Sequence, residues 1–142
     1  MMITIHVNRV ERQLEIQERW SLLRVLREEF NLLGAKGACL TGGCGTCTVL
    51  VDGQPVRSCI TLAKKVNAKR ILTIEGVSNK NMLHPIQQAF IDAGAVQCGF
   101  CTPAMILSAK SLLDSDKNPS RLRIREAIQP NLCRCTGYQK IV

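Results

Sequence analysis

A chain of 142 residues, 46% hydrophobic and 21% charged, is long enough for one ordinary domain or two small ones and too apolar to stay disordered. Aromatic residues are only 4% while eight residues are cysteine, so the core is modest and something besides apolar packing is expected to hold it. The formal net charge of +8 would suit an acidic partner or nucleic acid, but that figure counts the eight cysteines as neutral, and it shrinks if they are thiolates. There is no arginine–aromatic interleaving of the kind that binds single strands, so nucleic acid is set aside as a partner. No apolar run is long enough to cross a bilayer, so no membrane span is expected. The segment MMITIHVNRV lacks the basic region, apolar stretch, cleavage site and twin arginine of an export signal. The expected location is therefore cytoplasmic. In that reducing compartment eight cysteines read as metal or redox ligands rather than as a disulfide framework.

Ile3, Ile5 and Val7 alternate with Thr4 and His6, the period-two pattern of a half-buried strand. Leu14 and Ile16 repeat it after a turn near Asn8–Arg9. Ser21 is placed to cap a helix running to about Leu33, with Leu22, Leu23, Leu26 and Phe30 on one face. A glycine-rich loop follows, from Gly34 to Gly45. Thr48–Val51 is β-branched and apolar, Asp52-Gly53 is a hairpin turn signal, and Val56 to Cys59 is expected to pair back. Arg70 to Glu75 reads as one more strand.

The pattern then becomes helical. The polar stretch Gly76 to Asn81 marks the expected boundary between a domain of residues 1–77 and one of residues 78–142. His84-Pro85 opens one helix, to about Asp92. Cys101 to Leu113 forms a second. Asn118 or Ser120 caps a third, with Leu122 and Ile128 inward and Arg121 and Arg125 outward. A fourth is expected from about Cys135.

The cysteines fall into two groups. Cys39, Cys44 and Cys47 have the spacing C-x4-C-x2-C, and Cys59 follows at a distance. That is the plant-type [2Fe–2S] spacing. Three thiolates from one tight loop can wrap a small cluster only where backbone comes close, and Gly42, Gly43 and Gly45 permit that approach. Zinc prefers two pairs of ligands, which this spacing fits less well. The second group is Cys98-x2-Cys101 with Cys133-x-Cys135. Its spacing alone leaves zinc and iron–sulfur both open. Positions at helix starts favour thiolates and anionic clusters.

Three strings occur in order: GGCGTCTVLVDG (Gly42–Gly53), QCGFCTPAMIL (Gln97–Leu107) and NLCRCTGYQKIV (Asn131–Val142). Together they resemble the iron–sulfur subunit of the molybdenum hydroxylases, the xanthine dehydrogenase and aldehyde oxidoreductase family, over nearly the whole chain. The resemblance implies an α+β protein: an N-terminal β-grasp, plant-type ferredoxin-like domain and a C-terminal four-helix domain, each with one [2Fe–2S] cluster. It implies Cys39, Cys44, Cys47 and Cys59 as ligands of the first cluster and Cys98, Cys101, Cys133 and Cys135 as ligands of the second. It implies that Gln97 hydrogen-bonds a pterin and that Cys135 is the ligand nearest to it. Ala38 and Ala104 stand where the family usually has glycine, and Pro130 where glycine is common. None of these changes removes a ligand.

The other polar candidates have plainer readings. His6 is expected to be solvated, His84 to start a helix and Met105 to be core. Lys117, Arg121, Arg123 and Arg125 read as a solvated face. No phosphate loop, dinucleotide fingerprint, Ser–His–Asp set or poised carboxylate pair is present, so no catalytic residue is expected. The family resemblance then implies a relay. Electrons from a molybdopterin centre on a large subunit would pass through both clusters to FAD on a medium subunit, within a dimer of heterotrimers that hydroxylates a heterocycle, aldehyde or related substrate. A free two-cluster ferredoxin or redox sensor, and a zinc-stapled adaptor, are the competing readings.

Overall fold

The computed structural model describes all residues, 1–142. Its N-terminal half is a mixed five-stranded sheet: β1 (Met2–Val7), β2 (Val10–Glu15), β3 (Thr48–Val51), β4 (Gln54–Arg57) and β5 (Arg70–Leu72), in the spatial order β2-β1-β5-β3-β4. β1 and β5 run parallel and the other neighbours antiparallel. The alternation in β1 does what its period predicts, burying Ile3, Ile5 and Val7 on one face. Asn8 and Arg9 both take positive φ, as do Asp52 and Gly53. That backbone joins β1 to β2 and β3 to β4 without splaying the strands. Pro55 lies in β4, an edge strand where its missing N–H leaves no ladder bond open.

The first helix, α1, is shorter than its sequence pattern. Ser21 caps it as expected, its hydroxyl accepting from Arg24 N–H at 3.2 Å. One α-turn, Leu22–Arg24, widens into a π-turn over Val25–Glu29. Asn31 adopts φ +54° and Leu32 N–H turns back to Leu26 C=O at 2.9 Å, so the helix stops before Leu33, which is exposed. β5 also ends early. Asn8 Oδ1 accepts from Thr73 N–H at 2.9 Å and its Nδ2 donates to Thr73 Oγ1 at 2.7 Å. These bonds draw the chain off the sheet into a 3-10 turn over Ile74–Gly76.

Three regular helices follow: α2 (Pro85–Asp92), α3 (Thr102–Ser115) and α4 (Arg121–Ile128). His84 starts α2 in a capping box, its Nδ1 accepting from Ile86 N–H and its own N–H donating to Gln87. Ser120, not Asn118, caps α4. Leu122 was expected inward but is 64% exposed. Helical geometry explains it: Ile124, Ala127 and Ile128 share one face, and Leu122 lies roughly opposite. The expected fourth helix is a run of turns. Gly137 and Tyr138 both have positive φ, at +62° and +69°, and two successive left-handed residues cannot continue a right-handed helix.

The α+β class is as expected. The two halves share packing: α3 lies against the sheet, and Leu50 of β3 belongs to the same apolar cluster as Met105, Ile106 and Phe90. Met105 is fully buried core, as anticipated. No helix is long and apolar enough to cross a membrane.

Candidate metal centres

The first quartet is assembled almost entirely by one loop and its flanking strand. Cys39 and Cys44 lie on the loop between α1 and β3, Cys47 enters β3, and Cys59 follows β4. Cys39 Sγ accepts from the N–H groups of Thr41 and Cys44, both at 3.4 Å. These bonds, that from Cys44 being the stronger, bring its thiol down to about 5. Cys47 is buried. Burial and the facing Cys47 thiol push Cys59 up to about 11. Ser58 N–H and Oγ both donate to Cys47 C=O, and Thr48 N–H and Oγ1 donate to Gly45 C=O. The loop is therefore fastened to its own sheet.

The second quartet is assembled by tertiary packing. Cys98 and Cys101 lie at and before the start of α3, whereas Cys133 and Cys135 lie beyond α4. Cys101 and Cys133 are buried, and Cys98 and Cys135 are exposed. Burial, then the facing Cys133 thiol, push Cys101 up to about 12. Burial works against Cys133 ionising, but hydrogen bonds from the Thr136 hydroxyl and amide prevail and lower its pKa. The Phe100 N–H lowers Cys98, while Cys98 raises its neighbour Cys135.

In each quartet the thiols influence one another's ionisation in pairs: Cys44 acts on Cys39 and Cys47 on Cys59, then Cys135 on Cys98 and Cys133 on Cys101. No three His, Cys, Asp or Glu side chains converge on a single-ion site. A zinc tetrathiolate needs all four sulfurs about 2.3 Å from one ion. Paired thiols, two to each metal of a bridged pair, are the donor set of a two-iron cluster. These eight residues could therefore hold two such clusters, and they fit them better than two zinc ions.

The quartets adjoin each other. Leu132 N–H donates to Cys44 C=O at 2.7 Å, joining the residue before Cys133 to a member of the first quartet. Arg57 donates from Nε to Gly42 C=O at 3.1 Å, from Nη1 to Thr48 Oγ1 at 2.9 Å and from Nη2 to Pro130 C=O at 2.7 Å. Gly45, at φ +81°, lets this happen: a Cβ there would lie 2.7 Å from Pro130 O. Asn131 is buried beside it, accepting from Ser108 Oγ at 3.0 Å. Lys36 Nζ donates to Phe100 C=O, between Cys98 and Cys101, at 3.2 Å. Burial, then Arg27, depress its pKa.

Sequence reasoning missed Arg57, Lys36 and Asn131. An arginine in an edge strand carries no signal for a contact made more than seventy residues away. Gln97 lies on an exposed loop directly before Cys98, and its loop neighbours Val96 and Phe100 are exposed, as is Leu132 before Cys133. Leu40 and Ile60 are exposed beside the first quartet. His6 is half-buried and faces Glu11, Nδ1 to Oε2 at 3.4 Å. Arg121, Arg123 and Arg125 are exposed as expected, with Arg123 paired to Asp116.

Known proteins share this arrangement. Residues 5–73 match the 2Fe-2S iron-sulfur cluster binding domain, and residues 73–142 match the [2Fe-2S] binding domain. The nicotinate dehydrogenase small FeS subunit of Eubacterium barkeri is 45% identical, over 98% of this chain and 88% of its own. The chain belongs to the iron–sulfur subunit family of the molybdenum hydroxylases. The xanthine dehydrogenase iron-sulfur-binding subunit of Escherichia coli O157:H7 is 44% identical, over 96% of this chain and 86% of that one. The crystal structure of quinoline 2-oxidoreductase from Pseudomonas putida 86 superposes with a TM-score of 0.95 at 43% identity, covering 99% of this chain and 87% of that one. Like its relatives, this family member is an iron–sulfur subunit of a multi-subunit oxidoreductase.

Proposed function

We propose that this iron–sulfur subunit carries single electrons between a molybdopterin centre on a large partner subunit and FAD on a medium one, during oxidative hydroxylation of a heterocycle, aldehyde or related substrate. Residues 1–77 form the ferredoxin-like domain and residues 78–142 the helical one. Cys39, Cys44, Cys47 and Cys59 ligate one [2Fe–2S] cluster, and Cys98, Cys101, Cys133 and Cys135 the other. Such clusters, when bound, take up and release one electron each.

The bond from Leu132 N–H to Cys44 C=O carries this reading. It gives a short bonded route from Cys44 Sγ through its own carbonyl, across one hydrogen bond, to Leu132 and on to Cys133. Arg57 and Asn131 hold the two loops at that separation. In the second quartet Cys135 and the neighbouring Gln97 are exposed. That exposure suits contact with the large subunit, where Gln97 meets the pterin. Exposed Leu40 and Ile60, next to Cys39 and Cys59, suit the outlet toward FAD. The resident assembly is a cytoplasmic dimer of heterotrimers.

The test is purification of the intact complex under mild conditions. A large molybdopterin chain and an FAD chain are expected to accompany this subunit, with about four iron and four sulfide per copy. Gln97→Ala is expected to slow reduction of the helical cluster by substrate at unchanged iron content. An unaltered rate would favour a free carrier over an assembled relay.

A further inference from the structure

The turn after the last cysteine holds more structure than ligation requires. Thr136 Oγ1 lies 3.0 Å from Cys133 Sγ, and Thr136 N–H points at the same sulfur at 3.5 Å. Tyr138 N–H donates to Thr136 Oγ1 at 3.1 Å, and Cys133 N–H donates to Tyr138 Oη at 2.9 Å. Three residues thus close a ring of hydrogen bonds around one sulfur. Tyr138 holds φ +69° to complete it, a conformation that a side chain of this size avoids unless its surroundings impose it.

The direction of the hydroxyl bond is settled by proton counting. A metal-bound Cys133 is a thiolate and can only accept. Thr136 Oγ1 already accepts from Tyr138 N–H, so its one proton is left for Cys133. The first quartet holds a partial counterpart. Thr46 Oγ1 lies 3.2 Å from Cys44 Sγ, but it also lies 2.9 Å from Lys36 C=O, to which it donates. Its single proton has a competing acceptor, whereas that of Thr136 has none.

We propose that Thr136 is a positioning and tuning residue that raises the reduction potential of the helical cluster, with Tyr138 holding its hydroxyl in the donating orientation. This rests on the reading of Cys98, Cys101, Cys133 and Cys135 as ligands. A bond donated to a ligating sulfur stabilises the form carrying more negative charge, which is the reduced one. One electron is gained per reduction. No covalent bond forms or breaks, and the hydroxyl proton stays on Thr136. The consequence is directional: electrons from the large-subunit side are held at the helical cluster more firmly than its thiolates alone would hold them.

The experiment is a redox titration of the holo-complex followed by electron paramagnetic resonance, with iron and sulfide counted in each variant. Thr136→Val is expected to shift the electron-sharing equilibrium between the two clusters about tenfold away from the helical one, ~59 mV for a one-electron couple. Thr136→Ser is expected to restore the wild-type midpoint, and Thr46→Val to move the ferredoxin-like cluster by less. An unchanged midpoint in Thr136→Val with iron in place overturns the proposal. If Thr136→Val fails to load, Thr136→Ala takes its place. Loss of iron in both of these, with retention in Thr136→Ser, supports the hydroxyl. Loss in Thr136→Ser as well overturns it and leaves the residue a steric part of the turn. A wild-type protein with no iron in the second quartet would instead overturn the ligand reading on which the proposal stands.

Discussion

The two cysteine quartets solve one chemical problem by different routes. The first is local. Its loop is closed on itself by Lys36 and Thr46 and tied to its own sheet through Thr48 and Ser58. The second is a product of tertiary structure. It joins a segment before α3, held by Lys36 of the first quartet's loop, to one after α4, held by Ser108, by its own turn at Tyr138, by Cys44 of that loop and by Arg57 of β4. A site closed by one loop needs only that loop to form, while a site closed by two segments inherits every weakness of what lies between them. The second quartet should therefore depend on the first more than the first depends on it.

Removing a ligand from each site is the largest available test. Cys101→Ser is expected to lower iron from about four to about two per chain, leaving the ferredoxin-like cluster in place. Cys47→Ser is expected to lower it below about two, because its loop also supports the Leu132–Cys133 segment. Metal and sulfide analysis with visible absorption reads both. Equal losses in the two variants would erase the proposed asymmetry.

Gly45→Ala attacks the junction itself. The residue holds φ +81°, and the added methyl would meet the Pro130 carbonyl, which is backbone and cannot rotate aside. Strain of this kind costs about 1–3 kcal/mol. The separation it forces should fall on the Leu132–Cys44 bond. Thermal unfolding is expected to shift down. Iron in the second quartet should become easier for a chelator to extract, while the first keeps its iron longer. Equal release from both would show that the glycine serves only its own loop.

The difference between the quartets also explains what the sequence disclosed. Cys39, Cys44 and Cys47 announce a chemistry because loop closure is local and leaves a spacing. Cys98, Cys101, Cys133 and Cys135 are more than thirty residues apart at their widest, so spacing alone could not decide between zinc and iron. The strings Gln97–Leu107 and Asn131–Val142 were needed. The strand periodicities and the caps at Ser21 and His84 were legible because they rest on neighbours in sequence. Misses came where a distant or local constraint overrode the pattern. The Asn8–Thr73 pair cut β5 short, Asn31 stopped α1, and the Gly137–Tyr138 turn replaced a helix. That turn serves Cys133, so a local rule fails there beside the proposed cluster.

Arg57 offers the smallest and most discriminating test. Its guanidinium holds Gly42 and Thr48 on the first side of the junction and Pro130 on the second. A planar fork can reach three acceptors at once, and no lysine ammonium has that geometry. The Pro130 bond is exposed, so water takes over part of each lost contact. The cost of Arg57→Met should be about 1 kcal/mol rather than the sum of three charged hydrogen bonds. If the guanidinium is the second quartet's tether, chelation of that quartet should accelerate in Arg57→Met while the first stays near wild type, since Ser58, Thr48 and Lys36 still fasten its loop. Arg57→Lys should fall between the two. Faster release from the first quartet alone would assign the arginine to its own loop and leave the Leu132–Cys44, Asn131–Gly45 and Lys36–Phe100 bonds as the polar links between the two sites.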